Sequence, residues 1–230
     1  MKVPVLIALL KQAEKNPEIL QDMLVFREFK DRKTINKGEF KFKVGASYSL
    51  EQLAEIMISY SDNQATLMII DRIGIEKVKK VESDLRLGTE NSFSEEDRLV
   101  GVKTYATVFR TLYNASYLNK EMSEKALVIL SQSRYGYGIR KAVPLDILMA
   151  HKFGIREKNG SKDIAVSIDQ LHHFAIVYRP KKPYLIGLMM KGDDEKFMQR
   201  IISHIAKHVD DEIVQRTLLI ESANIPNDAR

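Results

Sequence analysis

Three short motifs in this 230-residue chain carry amine, hydroxyl and amide groups that could move protons and bind anions. Lys2 begins an apolar segment, where burial would lower the pKa of its amine and favour the neutral base. A Ser-Asp-Asn sequence at 61–63 lies in a predicted turn between two helices, and a Lys-Phe-Gly sequence at 152–154 lies on a predicted strand. Each motif alone is weak, because Ser-Asp-Asn is also a common helix start. Together they predict a catalytic site.

Other candidate groups favour structural roles. His204 and His208 have the i,i+4 spacing of a metal-binding pair, but no acidic residue stands between them as in His-Glu-x-x-His, which favours a solvated helix face. His172 and His173 stand at a predicted strand start and are more typical of structural side chains. The Gly-x-Gly sequence at 136–138 follows no strand and lacks the third glycine of a phosphate-binding loop. We therefore expect no metal and no cofactor.

The elements that must position the three motifs are helical in the first part of the chain and stranded later. Apolar spacing predicts helices at about 3–15, 49–59, 62–73, 75–86, 103–113, 120–133 and 193–216. It predicts strands at about 147–155, 171–178 and 184–190, the last two forming a hairpin, with a further short strand or hairpin at 39–44. This order predicts an α/β (α+β) fold in which an antiparallel sheet is flanked by helices beside an all-helical lobe. We expect one catalytic domain over 1–210, with a helical lobe at about 2–140, the sheet and last helix at about 141–216, and a tail at 217–230.

Composition excludes several classes of protein. The 36 basic and 31 acidic residues are interleaved, which favours a solvated basic surface over a nucleic-acid-binding face and leaves open a weak attraction to an anionic polymer such as a cell wall. The absence of cysteine excludes disulfides and cysteine-ligated zinc. No apolar run reaches the roughly 18–20 residues that span a bilayer. The apolar run at 3–10 is short and is followed by Lys11 and Glu14, so it predicts a buried helix and no signal peptide.

The motifs and their surroundings resemble the penicillin-recognising active-site-serine enzymes, above all the class A β-lactamases, which carry Ser-x-x-Lys, Ser-Asp-Asn and Lys-Thr-Gly. The similar stretches are Lys-Val-Pro-Val at 2–5, Met-Ile-Ser-Tyr-Ser-Asp-Asn-Gln-Ala-Thr at 57–66, Ala-Val-Pro at 142–144, Met-Ala-His-Lys-Phe-Gly at 149–154 and Phe-Ala-Ile-Val-Tyr at 174–178. The resemblance covers residues 2 to 210. It implies the β-lactamase/DD-peptidase-like form of the α/β fold.

The resemblance also implies a role for each motif residue. A nucleophilic serine three residues before Lys2 would share a helix face with it, so that Lys2 serves as the base. Ser61 would pass a proton to the leaving nitrogen, and Asn63 would bind the substrate amide. Lys152 would supply positive charge for a substrate carboxylate, and the strand that continues through Phe153 and Gly154 would offer backbone groups to the substrate. The implied catalytic residues are thus Lys2 and Ser61, and the implied substrate-binding residues are Asn63, Lys152, Phe153 and Gly154.

The chain departs from the family pattern at the nucleophile. The serine of Ser-x-x-Lys would lie two positions before Met1, and the family's leading helix and first strands would precede it. We expect a chain truncated at its N-terminus, with an inactive pseudoenzyme as the alternative.

Two further departures concern substrate binding and hydrolysis. Phe153 replaces the expected threonine, which removes a hydroxyl that would contact the substrate carboxylate. The loop at 89–101 lacks the Glu-x-x-Leu-Asn that supplies the deacylating base, although it offers Glu90, Glu95, Glu96 and Asp97. Without that base an acyl-enzyme would persist, which favours a penicillin-binding or peptidase-like relative over an efficient β-lactamase.

The expected function is therefore that of a serine hydrolase domain acting on β-lactam amides through an acyl-enzyme. The alternatives are a non-catalytic pseudoenzyme or binding protein and a DD-peptidase-like peptidoglycan enzyme. The expected partners are a small-molecule β-lactam or a peptidoglycan peptide, with no nucleic acid and no membrane span. The resemblance implies a periplasmic or extracellular location.

Overall fold

The structure is a computed structural model that describes residues 2–27, 40–87, 100–157 and 168–223. The chain divides into two compact units. The first comprises Met1–Tyr135 together with Ala150–Lys152, and the second comprises Gly136–Met149 and Phe153–Arg230. Helices and small antiparallel sheets make up a mixed α/β fold, which confirms the predicted fold class.

The first unit is mainly helical. Its elements are helix α1 (Lys2–Ala13), a 3-10 helix (Pro17–Gln21), strands β1 (Met23–Val25) and β2 (Ser47–Ser49), and helices α2 (Leu50–Ser59), α3 (Asn63–Ile73), α4 (Ile75–Asp84), α5 (Val102–Tyr113) and α6 (Lys120–Ser131). The two strands pair antiparallel, with Leu24 opposite Tyr48. Helix α1 contacts α2, α3, α4 and α6, so it forms the centre of this unit.

Helix α1 is buried on all sides, as its sequence predicts. Val3 and the residues from Val5 to Leu10 each expose 2% of their surface or less. The helix has no polar face in this stretch, so every turn must be covered by other helices. Lys2 is the first residue of this buried helix.

Local capping signals set the ends of α2 and α3. The Ser49 hydroxyl accepts a hydrogen bond from the Gln52 N–H at 3.1 Å, and the Gln52 side chain accepts one from the Ser49 N–H at 2.9 Å. This is the predicted capping box at the start of α2. At the far end of α3, Gly74 has φ +90, a conformation that glycine adopts without steric cost. The turn at 60–62 between these helices carries the Ser-Asp-Asn motif.

The strand or hairpin predicted at 39–44 is wrong over the described residues 40–44, which form no strand. Residue 39 lies outside the described part of the chain. The Phe40 and Phe42 rings pack against each other at 4.8 Å between centroids, and Phe42 also stacks on Phe26 at 4.6 Å. The alternating phenylalanines therefore meet aromatic side chains, while the backbone strands of this unit form at 23–25 and 47–49.

The second unit contains a sheet and the last helix. Its elements are helix α7 (Ile139–Ala142), strands β3 (Met149–Glu157), β4 (Ile168–Val177) and β5 (Tyr184–Lys191), and helix α8 (Glu195–Ala223). The strand order is β3-β4-β5, and β4 and β5 pair antiparallel, as the predicted hairpin requires. One face of β4 and β5 packs on α7 and α8, and the core is formed by Leu171, Ala175, Val177, Ile186, Met198, Ile202 and Ala206.

Helix α8 continues beyond the predicted end at 216. The structure is helical through Ala223, so the first seven residues of the expected tail belong to the helix. The Thr217 hydroxyl donates to the Ile213 carbonyl at 2.8 Å, and no glycine or proline interrupts the helix before Pro226. Within the described ranges, no helix combines the length and apolarity needed to cross a membrane.

Candidate active site

The structure joins the first two motifs through a hydrogen bond. The Lys2 Nζ donates to the Asn63 Oδ1 at 2.7 Å, across 61 residues of sequence. Lys2 lies at the start of α1 and Asn63 at the start of α3, and both helices are held by the apolar packing of the first unit. The contact therefore depends on tertiary packing, and it brings an amine and an amide together.

Partial burial shifts the pKa of Lys2. Removal of the amine from water lowers the pKa of Lys2 below its ordinary value of 10.5, and the nearby Asp62 carboxylate raises it by a smaller amount. The Lys2 amine therefore loses its proton at a lower pH than an ordinary lysine does. This is the condition that a lysine needs to accept a proton from a hydroxyl.

Lys152 lies in the same unit and is more deeply buried. Its side chain belongs to the short segment Ala150–Lys152 of β3, and the residue is only 4% exposed. Burial lowers the pKa of Lys152 well below 10.5, and the positive charge of Lys2 lowers it further. The two amines therefore influence each other, and the surroundings of Lys152 oppose the positive charge that the sequence assigned to it.

Asp62 is the buried counter-charge of this group. The residue is fully buried, and its Oδ1 accepts a hydrogen bond from the Ala65 N–H at 2.8 Å, which caps α3. Its Oδ2 has no hydrogen-bond partner among the described residues. Burial raises the pKa of Asp62, although the backbone N–H groups and Lys2 lower it in part. Sequence reasoning gave Asp62 only a capping role, and its place in the Ser-Asp-Asn motif was the available signal.

Ser61 occupies the turn directly before Asp62. Its backbone has φ +53, in the left-handed region, which costs roughly 1–2 kcal/mol for a residue with a Cβ. The residue is half-buried, and its hydroxyl makes no hydrogen bond to any residue in the described part of the chain. The packing of α2 and α3 therefore holds Ser61 in a strained conformation.

Phe153 and Gly154 belong to the second unit and are described with it. A Cβ added at Gly154 would lie 2.1 Å from the Nε2 of His172, so the imidazole occupies the space of a side chain at that position. Phe153 is half-buried. The functional roles of both residues stay predictions, as do those of Lys2, Ser61, Asn63 and Lys152.

The histidines fit the structural roles that the sequence favoured. The buried His173 accepts a hydrogen bond at its Nδ1 from the Ile139 N–H at 3.1 Å. His204 and His208 are exposed on α8, and no cluster of three metal-ligating side chains exists in ranges 2–27, 40–87, 100–157 and 168–223. The candidate deacylating acids Glu90, Glu95, Glu96 and Asp97 lie outside the described residues.

The lowered pKa values of Lys2 and Lys152 make stability depend on pH. Because the folded-state pKa of each lysine is lowered, the unfolded chain binds more protons, and the free energy of unfolding rises with pH towards 10.5. Within that window each lysine adds up to about 1.4 kcal/mol per pH unit. Lys152→Met is expected to reduce the slope, and Lys2→Met combined with it to flatten the slope further. Urea unfolding between about pH 7 and 9.5 measures this.

The matched control is Lys103→Met, because Lys103 is exposed at the start of α5. It should leave the pH slope as in the unmodified protein. The difference in the free energy of unfolding between variant and parent at each pH removes the contribution of the tyrosines, because both proteins share it. Equal slopes for the parent and the Lys152→Met protein would contradict the buried-amine interpretation.

Comparison with known proteins identifies the relatives of this arrangement. The model of the family described as the β-lactamase enzyme family matches residues 1–213. Among solved structures, "Structure of PBP-A" has a TM-score of 0.73 at 20% identity, covering 93% of this chain and 79% of that chain. A β-lactamase from Francisella tularensis has a TM-score of 0.77 at 15% identity, covering 94% and 84%. One from Chitinophaga pinensis DSM 2588 has a TM-score of 0.76 at 19% identity, covering 92% and 83%. No curated protein matches the chain.

Proposed function

Because the chain belongs to the β-lactamase enzyme family, we propose that Lys2, Ser61, Asn63 and Lys152 form the acyl-transfer site of a penicillin-recognising serine hydrolase. The observation that carries this proposal is the hydrogen bond from the Lys2 amine to the Asn63 amide at 2.7 Å, in surroundings that lower the pKa of Lys2. A partly buried amine beside an amide suits a reaction in which a hydroxyl must lose a proton close to a bound substrate.

The first chemical step uses Lys2 as a base. The serine of Ser-x-x-Lys would stand three residues before Lys2, on the same face of the helix, and the printed sequence carries only Met1 ahead of Lys2. Its hydroxyl oxygen attacks the carbonyl carbon of the lactam, and its proton passes to the neutral Lys2 amine. A carbon–oxygen bond forms as the lactam carbon–nitrogen bond breaks, so the product is an ester that retains every atom of the lactam.

The second step returns a proton to the leaving nitrogen. The Ser61 hydroxyl follows α2 in a turn that leads directly to Asp62 and Asn63. We assign Ser61 to donate this proton, with Lys2 restoring it, and Asn63 to bind the substrate amide. Asp62 compensates the positive charge that appears on the amines during the transfer.

Lys152 contributes to the proposed reaction through its electrostatic coupling to Lys2. Its amine is buried and its pKa responds to the charge on Lys2, so a proton on one lysine disfavours a proton on the other. We assign Lys152 to hold the Ser61 region. Phe153 and Gly154 are assigned to the strand that lies along the substrate.

The missing Glu-x-x-Leu-Asn sequence favours slow release of the acyl group. We therefore place the protein closer to a penicillin-binding protein than to an efficient β-lactamase, with peptidoglycan peptides as the second candidate substrate. PBP-A, one of the structural neighbours, has also been solved as a point mutant in an acyl-enzyme complex with penicillin G. A periplasmic or extracellular location suits either substrate.

The test is acylation by benzylpenicillin. A form of the chain extended at its N-terminus, with serine three residues before Lys2, is expected to gain the full mass of one penicillin molecule. Intact-protein mass spectrometry measures the gain. The control replaces that serine with alanine, and it should show no gain. A protein that binds benzylpenicillin without any covalent adduct would support the pseudoenzyme alternative.

A further inference from the structure

The second unit contains a cavity of about 600 Å³. Its wall is formed by α7 and the residues that follow it, by the turn after β4 and by one face of α8. Every residue that lines it belongs to the second unit, whereas Lys2, Ser61, Asn63 and Lys152 belong to the first. The volume lies in the range of about 300–1,000 Å³ that is typical of small-molecule sites. The cavity is therefore a candidate binding site made of residues that the proposed reaction does not use.

One part of the cavity wall is apolar. Ala142 and Val143, at the end of α7, are 6% and 3% exposed, and Val214 on α8 is half-buried. Pro144 and Leu145 continue this wall, and Leu145 exposes 90% of its surface. Removal of apolar surface from water favours binding, so this part of the wall suits the apolar body of a ligand.

The two carboxylates in the cavity wall already have cationic partners. Asp210 is 1% exposed, and its Oδ1 accepts hydrogen bonds from the Arg179 Nε and the Tyr184 hydroxyl, each at 2.9 Å. Asp211 forms an ion pair with Lys207, one helical turn before it on α8. Because a cation lies beside each acid, their negative charges do little to repel an anion in the cavity.

Arg140 is a cation that backbone carbonyls hold in place in the cavity wall. Its Nη1 donates to the Ile147 carbonyl at 3.1 Å. Its Nη2 donates to the Val143 carbonyl at 2.8 Å and also to the Pro144 carbonyl. The Arg140 Nε is buried and has no hydrogen-bond partner among the described residues. The guanidinium is thus fixed before any ligand arrives, which lowers the entropic cost of binding.

The positive charges of Arg140 and Lys141 are not compensated by an ion pair. Neither side chain pairs with a carboxylate in ranges 2–27, 40–87, 100–157 and 168–223. Burial lowers the pKa of Arg140, and the Asp146 carboxylate raises it by a smaller amount. A guanidinium stays charged even so, and a partly desolvated cation is stabilised by a nearby anion. Lys141 is exposed, so its amine is free to contact a ligand in the cavity.

We propose that this cavity binds a small organic anion with an apolar body, whose charge lies beside Arg140 and Lys141. The inference goes beyond the proposed function, because it assigns a second ligand site. Lys141 contacts the anion directly, and Arg140 attracts it through its fixed charge. The apolar wall supplies the rest of the affinity, since an exposed ion pair contributes little by itself.

The test compares 4-phenylbutyrate with the uncharged 4-phenylbutanamide on the chain as printed, with binding followed by calorimetry. The two ligands share the apolar body and differ in the charge of the head group. The parent protein is expected to bind the acid about tenfold more tightly than the amide, the lower end of the range for contacts with charged groups. Lys141→Ala should reduce this preference by a few-fold, and Lys141→Glu, which reverses the charge, should abolish it.

Two further variants locate the ligand. Leu145→Ser shortens an exposed apolar side chain of the wall, and it is expected to weaken the binding of the acid and the amide by the same factor. Lys196→Ala is the matched control, because Lys196 is an exposed lysine on α8 that does not line the cavity. It lies about 16 Å along the helix axis from Lys207, at 1.5 Å per residue, and its loss should change neither affinity.

The opposing outcomes are distinct. Equal affinity of the parent for the acid and the amide would contradict the role of charge. An affinity that neither Lys141→Glu nor Leu145→Ser changes would place the ligand elsewhere, and no binding of either ligand at millimolar concentration would overturn the inference. Inorganic phosphate is expected to bind more weakly than 4-phenylbutyrate, because it lacks an apolar body, and equal affinity would contradict the role of the wall. Neither aryl ligand is a lactam, so failure of the β-lactam proposal leaves this test unaffected.

Discussion

Lys2→Ala is expected to abolish acylation by benzylpenicillin in the chain extended to carry the serine. The alanine removes the base that accepts the proton of the nucleophile, and general base catalysis typically contributes a factor of roughly 10²–10⁴. It also removes the hydrogen bond to Asn63, the amide that we assign to bind the substrate. Mass spectrometry after timed exposure to benzylpenicillin gives the rate of adduct formation.

Two variants make this result specific. Lys103→Ala removes an exposed lysine and should acylate at the parent rate. Ser61→Ala should slow acylation by less than Lys2→Ala, because water can replace a hydroxyl as a proton donor more easily than it can replace an amine base. Acylation of the Lys2→Ala protein at the parent rate would show that another group accepts the proton.

The acyl-enzyme, once formed, is expected to persist. Hydrolysis of the ester needs a positioned water and a base, and the sequence lacks Glu-x-x-Leu-Asn at 89–101. Loss of general base catalysis slows this step by roughly 10²–10⁴ relative to an enzyme that retains the base. The adduct mass should therefore decay much more slowly than it forms when excess penicillin is removed.

The acidic residues in the sequence at 89–101 provide the opposing outcome. Rapid turnover of a chromogenic cephalosporin would show that an acid has taken the place of the missing glutamate. Glu95→Gln and Glu96→Gln, made separately, would then identify it, because only the variant lacking the base should accumulate the adduct. Turnover that neither substitution changes would direct the search to Glu90 and Asp97.

Local structure was largely predictable from the sequence because its signals are local. The capping box at Ser49 and Gln52, the stop at Gly74 and the apolar run of α1 each specify an element within a few residues. The strand predicted at 39–44 was wrong. Alternation of apolar and polar residues shows which side chains share a face, but it does not show which other side chains they pack against. In this protein Phe40 and Phe42 meet other aromatic rings.

The sequence by itself determined the longer helices, the strands β3 to β5, the three motifs and the family resemblance that the β-lactamase family match confirms. Only the tertiary structure decided that Lys2 reaches Asn63 across 61 residues and that Lys152 is buried where the charge of Lys2 lowers its pKa. The physical reason is that burial and electrostatic coupling depend on how distant segments pack. No pattern within one segment shows which amine will be removed from solvent or which guanidinium will stay exposed to it.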